Sequence, residues 1–404
     1  MSEPPADAVE SMEIAPGVAA HQVMTPGTAE EISGLLEIAT TESSSVVPFG
    51  GARSVVTGHA VGPFDIGLDL RQITGILSYE PADLVLSVRA GTTLGEIQEE
   101  LGHHNQELPL DVPNPASTTI GGLVATGFAG PRRLRSGSLR DLLIGCEFVR
   151  GDGLLAKAGG MVVKNVSGFE IPRFLHGSWG ALAVITSVNL KVAPRPRADR
   201  TVLAAMPGMA EAVGASRAML DADASIDACT LSQGPGGVTL AVRALGRSAA
   251  VMETLNTTGH LAGNHEILGD DESRTFWQSQ VERFAERPDA ISLAASTRPR
   301  NMADLVDSVQ DGMSGCQSLE MLVSPGTGSV RLRWTMDADA AGWIEAAARS
   351  VTDAGGAYVL ECAPASIRDV VDPWGPEPEG IGIMQAVKQQ FDPGNVLNRG
   401  RLLI

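Results

Sequence analysis

Apolar residues recur along this chain at two periods, and the switches between them mark its elements. Ile32, Leu35, Leu36 and Ala39 fall on one helical face, and Thr28-Ala-Glu-Glu31 before them has capping-box spacing. Val46-Val-Pro-Phe49 reads as a short buried strand running into Gly50-Gly51-Ala52-Arg53-Ser54, and Ile66 to Leu70 as the next strand, a small α/β unit. A second unit opens with a strand from Leu84 to Ala90. A helix to Leu101 follows, started by a second capping box, Thr93-Leu-Gly-Glu96. From Pro109 to Gly137 the chain is dense in Gly, Ala, Thr and Pro, with no regular amphipathic helix expected before Leu139. Long loops of small residues inside compact domains are usually functional. Ile144 to Arg150, the turn Gly151-Asp152-Gly153, and Leu154 to Ala158 read as a hairpin, and Ala181 to Val192 as a further strand.

The texture changes after Pro194-Arg-Pro196. Strands are expected at Thr239 to Leu245, Ala290 to Ala295 and Ala357 to Cys362, and a hairpin from Leu319 to Trp334 about Pro325-Gly326-Thr327-Gly328. Helices are expected at Ser248 to Thr258, Met302 to Met313, Ala340 to Ala354 and Gly382 to Phe391. Helices alternating with antiparallel strands imply an α+β unit. Residues 1–20, rich in Pro, Ala and acids, read as a loose N-terminal arm.

At roughly 100–200 residues per domain, the 404 residues imply two or three domains. A net charge of −18 disfavours binding to phosphate backbones or docking on anionic lipid through a basic patch, so no nucleic-acid partner is expected. No stretch of about 18 apolar residues occurs, so no direct membrane insertion is expected. The start of the chain lacks the basic-then-apolar pattern of a secretory signal, which implies a cytoplasmic location. Cys146, Cys229, Cys316 and Cys362 are far apart without a C-x-x-C pair, which suggests buried reduced thiols rather than a zinc or iron–sulfur site. His260 and His265 are five apart where helical ligation prefers four, so no metal site is expected.

Four segments carry candidate chemistry. In Pro48-Phe49-Gly50-Gly51-Ala52-Arg53-Ser54, two glycines after a strand allow backbone N–H groups to approach an anion, although the segment is not G-x-G-x-x-G. The second runs from Asp111 and Pro113 through Thr118, Thr119, Gly121 and Gly122 to Ala125, Thr126 and Gly127. Its small residues permit close approach to a flat ligand, and its hydroxyls could donate to phosphate oxygens. In Gly137-Ser-Leu-Arg140-Asp141 an Arg-Asp pair could lock a loop. The fourth is Lys164-Asn-Val-Ser-Gly-Phe-Glu170, followed by Gly177-Ser-Trp-Gly180-Ala-Leu-Ala-Val184-Ile185-Thr186, where glycines precede a buried strand.

In this order the segments resemble the FAD domain shared by vanillyl-alcohol oxidase and D-lactate dehydrogenase flavoproteins, from about Val46 to Ala193. That family shows P-x-G-G-G-T-S, A-T-I-G-G-x-x-A-T, Y-G-x-x-R-D and G-S-E-G-T-L-G-V-I-T. Phe391-Asp-Pro-Gly-Asn-Val-Leu-Asn-Arg-Gly-Arg401 is similar to its closing F-D-P-x-x-x-x-N-P-G-R. The resemblance implies an α+β fold: a PCMH-type FAD-binding domain at residues 21–195, made of two α/β subdomains (about 21–78 and 79–195). A cap at 200–365 and a C-terminal segment at 366–404 that returns to the FAD domain complete it. FAD would be held non-covalently. Gly50, Gly51, Ala52, Arg53 and Ser54 would take the pyrophosphate; Thr118, Thr119, Gly121, Gly122, Ala125 and Thr126 would lie near the flavin; Val184 and Ile185 would contact the cofactor through backbone. Pro48, Phe49, Pro113, Gly127, Arg140, Asp141 and Gly180 complete the expected set. The chain departs from the pattern at Ala52 and Arg53 (Gly-Thr), Ser136 (Tyr), Trp179 (Glu) and Arg399 (Pro).

Oxidising a 2-hydroxy acid needs a base for the hydroxyl, a cation for the carboxylate and a flavin to take the hydride. The H-x-G-D-G-N-x-H cap motif of self-sufficient members is missing, and Ser324 to Val330 stands in its place. The catalytic residues are therefore unknown from sequence. A short chain of this kind resembles the E-type subunits of bacterial glycolate oxidases, and Met161-Val-Val-Lys-Asn-Val-Ser-Gly-Phe-Glu170 is similar to their pattern. That implies partners, a D-type flavoprotein and an iron–sulfur F-type subunit, and a part in oxidising glycolate to glyoxylate. A stand-alone FAD dehydrogenase and a non-catalytic FAD-holding scaffold remain as rivals.

Overall fold

The computed structural model describes residues 11–59, 61–161, 170–222, 225–285, 290–337, 339–368 and 371–404. Its fold is α+β, and among these residues the strands gather into three main sheets. The first has the order Met12–Ala15, Val18–Met24, Phe64–Asp69, Val46–Phe49, with the last two adjacencies parallel. Helix Ala29–Glu42 connects Val18–Met24 to Val46–Phe49; Thr28 caps it, and Ile32, Leu36 and Ala39 are buried. The expectation of a loose arm over residues 1–20 is corrected from residue 12 onward. Met12–Ala15 and Val18–Met24 pair as a hairpin, because Ala15, Val18 and Ala20 bury against Val47, Phe49 and Phe64.

The second sheet is antiparallel throughout: Ile76–Glu80, Val85–Arg89, Ala183–Lys191, Leu143–Arg150, Leu155–Gly159. Its central strand Ala183–Lys191 is buried at eight consecutive positions and so lacks alternation, as a strand covered on both faces must. Helix Leu94–Gly102 starts at the full Thr93/Glu96 capping box and buries Leu94, Ile97 and Leu101 in the same core.

The third sheet has eight antiparallel strands, in the order Glu266–Leu268, Ala198–Met206, Gly237–Gly246, Ala228–Gly234, Glu320–Ser324, Ser329–Thr335, Ala290–Ser296, Ala357–Cys362. Helices Met209–Asp221, Ser248–Ala262, Met302–Gly312 and Ala340–Asp353 bury one face of it in a single core that includes Met321, Val323, Val330, Leu332 and Trp334. Because side chains alternate along a strand, Leu322, Ser324, Ser329 and Arg331 point the other way, away from those helices. Helix Asp270–Arg283 covers only part of that second face, with Trp277 buried on Ala228 and Ala241. The remainder looks toward the first two sheets. Among the described residues no helix is long and apolar enough to cross a membrane.

Candidate functional site

After strand Val46–Phe49 the chain turns at Gly50 and Gly51 and enters a 3-10 turn, Arg53–Val56. A Cβ on Gly50 would lie 2.4 Å from Thr119 Oγ1, and one on Gly51 2.2 Å from the Ser117 carbonyl oxygen. These glycines are therefore required by the contact of this turn with the second one. Ala52 has φ 54°, the left-handed region where the family pattern has glycine. Among the described residues, the backbone N–H groups of Gly50, Gly51, Ala52 and Arg53 make no backbone hydrogen bond, which leaves four donors in a row for an anion.

The second segment corrects the expectation of an irregular loop. Ile120–Thr126 is a helix, capped by the Thr119 hydroxyl, which accepts from Gly122 N at 3.3 Å. Periodicity hid it because Gly121 packs on Ala90, where a Cβ would meet the Ala90 Cβ at 2.7 Å. Two hydroxyls expected to face a ligand spend their protons locally. Thr118 Oγ1 donates to the Pro113 and Asn114 carbonyls (2.8 and 2.9 Å), and Thr126 Oγ1 to the Gly122 carbonyl (2.9 Å).

The third turn docks on that helix. Gly177 N donates to Val124 O and Trp179 N to Ala125 O, at 2.9 and 2.7 Å. Trp179, at φ 53°, and Gly180, at φ 71°, then lead into the buried strand Ala183–Lys191. Residues 162–169, which hold Lys164 to Phe169 of the fourth segment, lie outside the described residues.

The last stretch of chain, which the sequence reading had return to residues 21–195, ties these turns together, although none of its side chains was named for the site. Leu397 bridges Val46 in parallel. The buried Lys388 donates from Nζ to the Ala181 and Leu397 carbonyls and to Asp392 Oδ2. Burial lowers its pKa, against the pull of Asp392. Asn398 Nδ2 donates to the Trp179 carbonyl at 3.0 Å. Arg401 supports the first turn: Nη2 donates to the Val55 and Thr57 carbonyls, each at 2.6 Å, and Nη1 to Asn398 Oδ1 at 2.7 Å. The signal was present in the closing motif, but nothing in it said which carbonyls Arg401 would reach.

The turns meet at one cleft. Pro48, Phe49, Gly50, Gly51, Ala52, Arg53 and Ser54 line it, as do Pro113, Thr118, Thr119, Gly121, Gly122, Ala125, Thr126 and Gly127, and Gly180, Val184 and Ile185. Arg140 and Asp141 do not, and this corrects the expectation for them. Arg140 is exposed, and Asp141 accepts from Ser138 N and Oγ at 2.8 and 3.1 Å, capping its own short helix instead of pairing with Arg140.

The opposite wall is the uncovered face of the eight-stranded sheet. It presents Leu322, Ser324, Ser329, Arg331, Ala294, Ser296 and Glu361; of these the sequence reading singled out only Ser324 and Ser329, in the run that stands in place of the cap motif. Arg331 lies over the Phe128 ring, 4.7 Å from its centroid, with its Nε 3.5 Å from Glu361 Oε2. The ionisable lining comprises Arg53, Arg133, Arg331, Arg401, Glu361 and Tyr358. Burial raises the Tyr358 pKa, which keeps that phenol neutral. The cleft is thus cationic on a chain of net charge −18, and an anionic ligand fits it. His260 and His265 are not among the residues that line the cleft. Among the described residues no group of three His, Cys, Asp or Glu side chains is placed to hold a metal.

Comparison with known proteins fits this geometry. Residues 20–169 match the family of FAD binding domains. The chain is 44% identical over 133 residues to "Glycolate oxidase subunit GlcE" of Escherichia coli (strain K12), which covers 33% of this chain and 38% of that protein. It is 33% identical over 206 residues to a D-lactate dehydrogenase of Archaeoglobus fulgidus, 50% of this chain and 46% of that one. The chain thus spans less than half the length of these relatives. Two solved structures share its fold. An alkyldihydroxyacetonephosphate synthase (TM-score 0.70, 15% identity) covers 94% of this chain and 75% of its own, and a chitooligosaccharide oxidase (TM-score 0.69, 14% identity) covers 95% and 92%.

Proposed function

We propose, from the premise that residues 20–169 are an FAD-binding domain of the PCMH type, that this chain is the FAD-holding subunit of a glycolate oxidase-like oxidoreductase. The observation that carries the reading is the convergence of three small-residue turns, distant in sequence, on one cationic cleft. The four backbone N–H groups from Gly50 to Arg53 would hold the pyrophosphate, with Arg53 and Ser54 beside them. The helix Ile120–Thr126 and the strand residues Val184 and Ile185 would form the surface against the flavin ring. FAD, when bound, supplies a two-electron acceptor; the residues of this chain bind it, orient it and exclude water from one face.

The likeness to a glycolate oxidase subunit supports 2-hydroxy acids as the substrate class and an assembly of more than one subunit; the partners in this reading are a D-type flavoprotein and an iron–sulfur F-type subunit. The test is purification from cells expressing the three chains together. The expected result is a yellow protein with about one FAD per copy of this chain, carried in a complex that reduces a dye with glycolate. A folded chain that stays colourless in excess FAD would sink the reading. A flavin-loaded chain that never joins the other two would remove the assembly and favour the stand-alone dehydrogenase.

A further inference from the structure

The cleft has two walls, and FAD needs only one of them. The other is the bare face of the eight-stranded sheet, and its pattern is specific. Ser296 pairs in register with Ser329, and Ser329 with Ser324, so three serines stand side by side across three strands on the cleft face. One step along the strand from this row stands Arg331.

Arg331 is placed as a cation waiting for an anion. Its stem and guanidinium are four-fifths buried, yet its Nε makes no well-aligned hydrogen bond, and Glu361 stands off at 3.5 Å. That separation is too long for a good charge-assisted bond, which runs near 2.7–2.9 Å. Arg243, buried in the same sheet, shows what satisfaction looks like, with Asp199 at 2.6 and 3.0 Å. The Phe128 ring under Arg331 holds the guanidinium in place without consuming its N–H donors.

We infer that this chain has its own site for a small hydroxy-carboxylate. Arg331 takes the carboxylate in its forked donors, the Ser296–Ser329–Ser324 row meets the neighbouring hydroxyl, and Glu361 competes for the guanidinium when no ligand is bound. This rests on the reading of the cleft as the FAD cleft and goes further. It makes the chain a substrate-binding subunit rather than an electron relay alone.

The test is calorimetric titration of the flavin-loaded chain with oxalate, which is anionic and cannot be oxidised by hydride loss, and with glycolamide, the uncharged counterpart of glycolate. Oxalate is expected to bind saturably and glycolamide not at all. Arg331→Met should weaken oxalate about tenfold or more, the size of one lost charge-assisted pair, while FAD content stays at the wild-type value. Glu361→Gln should tighten oxalate severalfold, which mere damage to the sheet cannot do. Wild-type protein that is yellow but gives no heat with oxalate overturns the carboxylate site and leaves the FAD reading standing, and so does an Arg331→Met protein that binds like wild type. If the folded chain stays colourless even in excess FAD, the FAD reading fails; the titration is then run on the flavin-free chain, and oxalate binding that is lost in Arg331→Met still supports the anion site.

Discussion

Arg243 Nη1 lies 3.2 Å from Asp111 Oδ1, so a side chain of the eight-stranded sheet grips the loop that leads into the second turn of the cleft. The same guanidinium clasps Asp199 through Nε and Nη2, and Ser273 Oγ adds a bond to Asp199 at 2.6 Å. The desolvation cost on Arg243 is outweighed by its two carboxylate partners, and its pKa is raised. Removing the cation would leave two nearly buried carboxylates without compensation. Arg243→Met is therefore expected to cost about 3–5 kcal/mol of stability, the range for breaking a buried pair from one side. Asp111→Asn should cost less, because the Asp199 clasp survives. Urea unfolding monitored by tryptophan fluorescence would check both, and an unchanged Arg243→Met midpoint would show that the network holds nothing.

Arg401 supports the turn after Gly50 and Gly51 by geometry as much as by charge. Burial, with the nearby Arg368, pushes its pKa down to about 10, so it is held as a cation at a cost that its acceptors offset. Two carbonyls and an amide oxygen lie on separate arms of the fork. A lysine carries the charge but cannot reach all three from one ammonium. Arg401→Lys should retain the fold yet lose FAD about tenfold more readily, equivalent to about 1.4 kcal/mol. The ratio of flavin to protein absorbance after gel filtration measures this, and full retention would mean the turn stands without its support.

Local chemistry was legible where one short stretch carried the whole signal. The Thr93/Glu96 capping box and the turns at Gly50 and Gly180 needed only neighbours in sequence. The helix Ile120–Thr126 was not legible, because its glycines answer to Ala90 and not to a helical period. Strands Ala198–Met206 and Ala228–Gly234 were missed because Asp199, Arg200, Ser232 and Gln233 interrupt them; Asp199 is polar for the sake of Arg243. Helix Asp270–Arg283 is polar on all but one narrow side. Of the second wall only the strands were legible, the Leu319 to Trp334 hairpin among them: nothing in the residues around Arg331 announces Phe128, since only the folded sheet brings them together.

Gly51 and Ala52 are adjacent but should respond in opposite directions. Gly51 lies outside the left-handed region, yet its missing Cβ makes room for the Ser117 carbonyl. Gly51→Ala must push the first and second turns apart, and FAD affinity should fall at least about tenfold, as for a displaced set of charge-assisted bonds. Ala52 is held at φ 54°, a conformation that costs an L-residue roughly 1–2 kcal/mol and glycine nothing. Ala52→Gly relieves this and loosens the unfolded chain by about 0.4–1 kcal/mol, so stability should be unchanged or slightly higher. Equilibrium dialysis with FAD and a thermal melt on each variant separate the two. A Gly51→Ala protein that binds FAD normally would show that the turns can part without consequence.

His176 sets a pH dependence near neutrality. It packs beside Gly127, where a Cβ would lie 3.1 Å from its Cε1, and its Nε2 is buried without a hydrogen-bond partner. Desolvation, reinforced by Arg140 and Arg133 and only partly opposed by Asp141, lowers its pKa below the ordinary 6.5. Below pH 6.5 the unfolded chain therefore takes up a proton that the folded chain refuses, and linkage makes stability fall as pH falls. The loss begins at the unfolded value, about 6.5, and ends once pH has passed below the depressed folded value. His176→Asn has no proton to take up in either state. Its melting temperature should accordingly depend less on pH between 7 and 5 than that of the wild type, with the two curves converging in slope above pH 7. Parallel slopes across the whole interval would mean that the imidazole titrates as freely in the fold as in the unfolded chain.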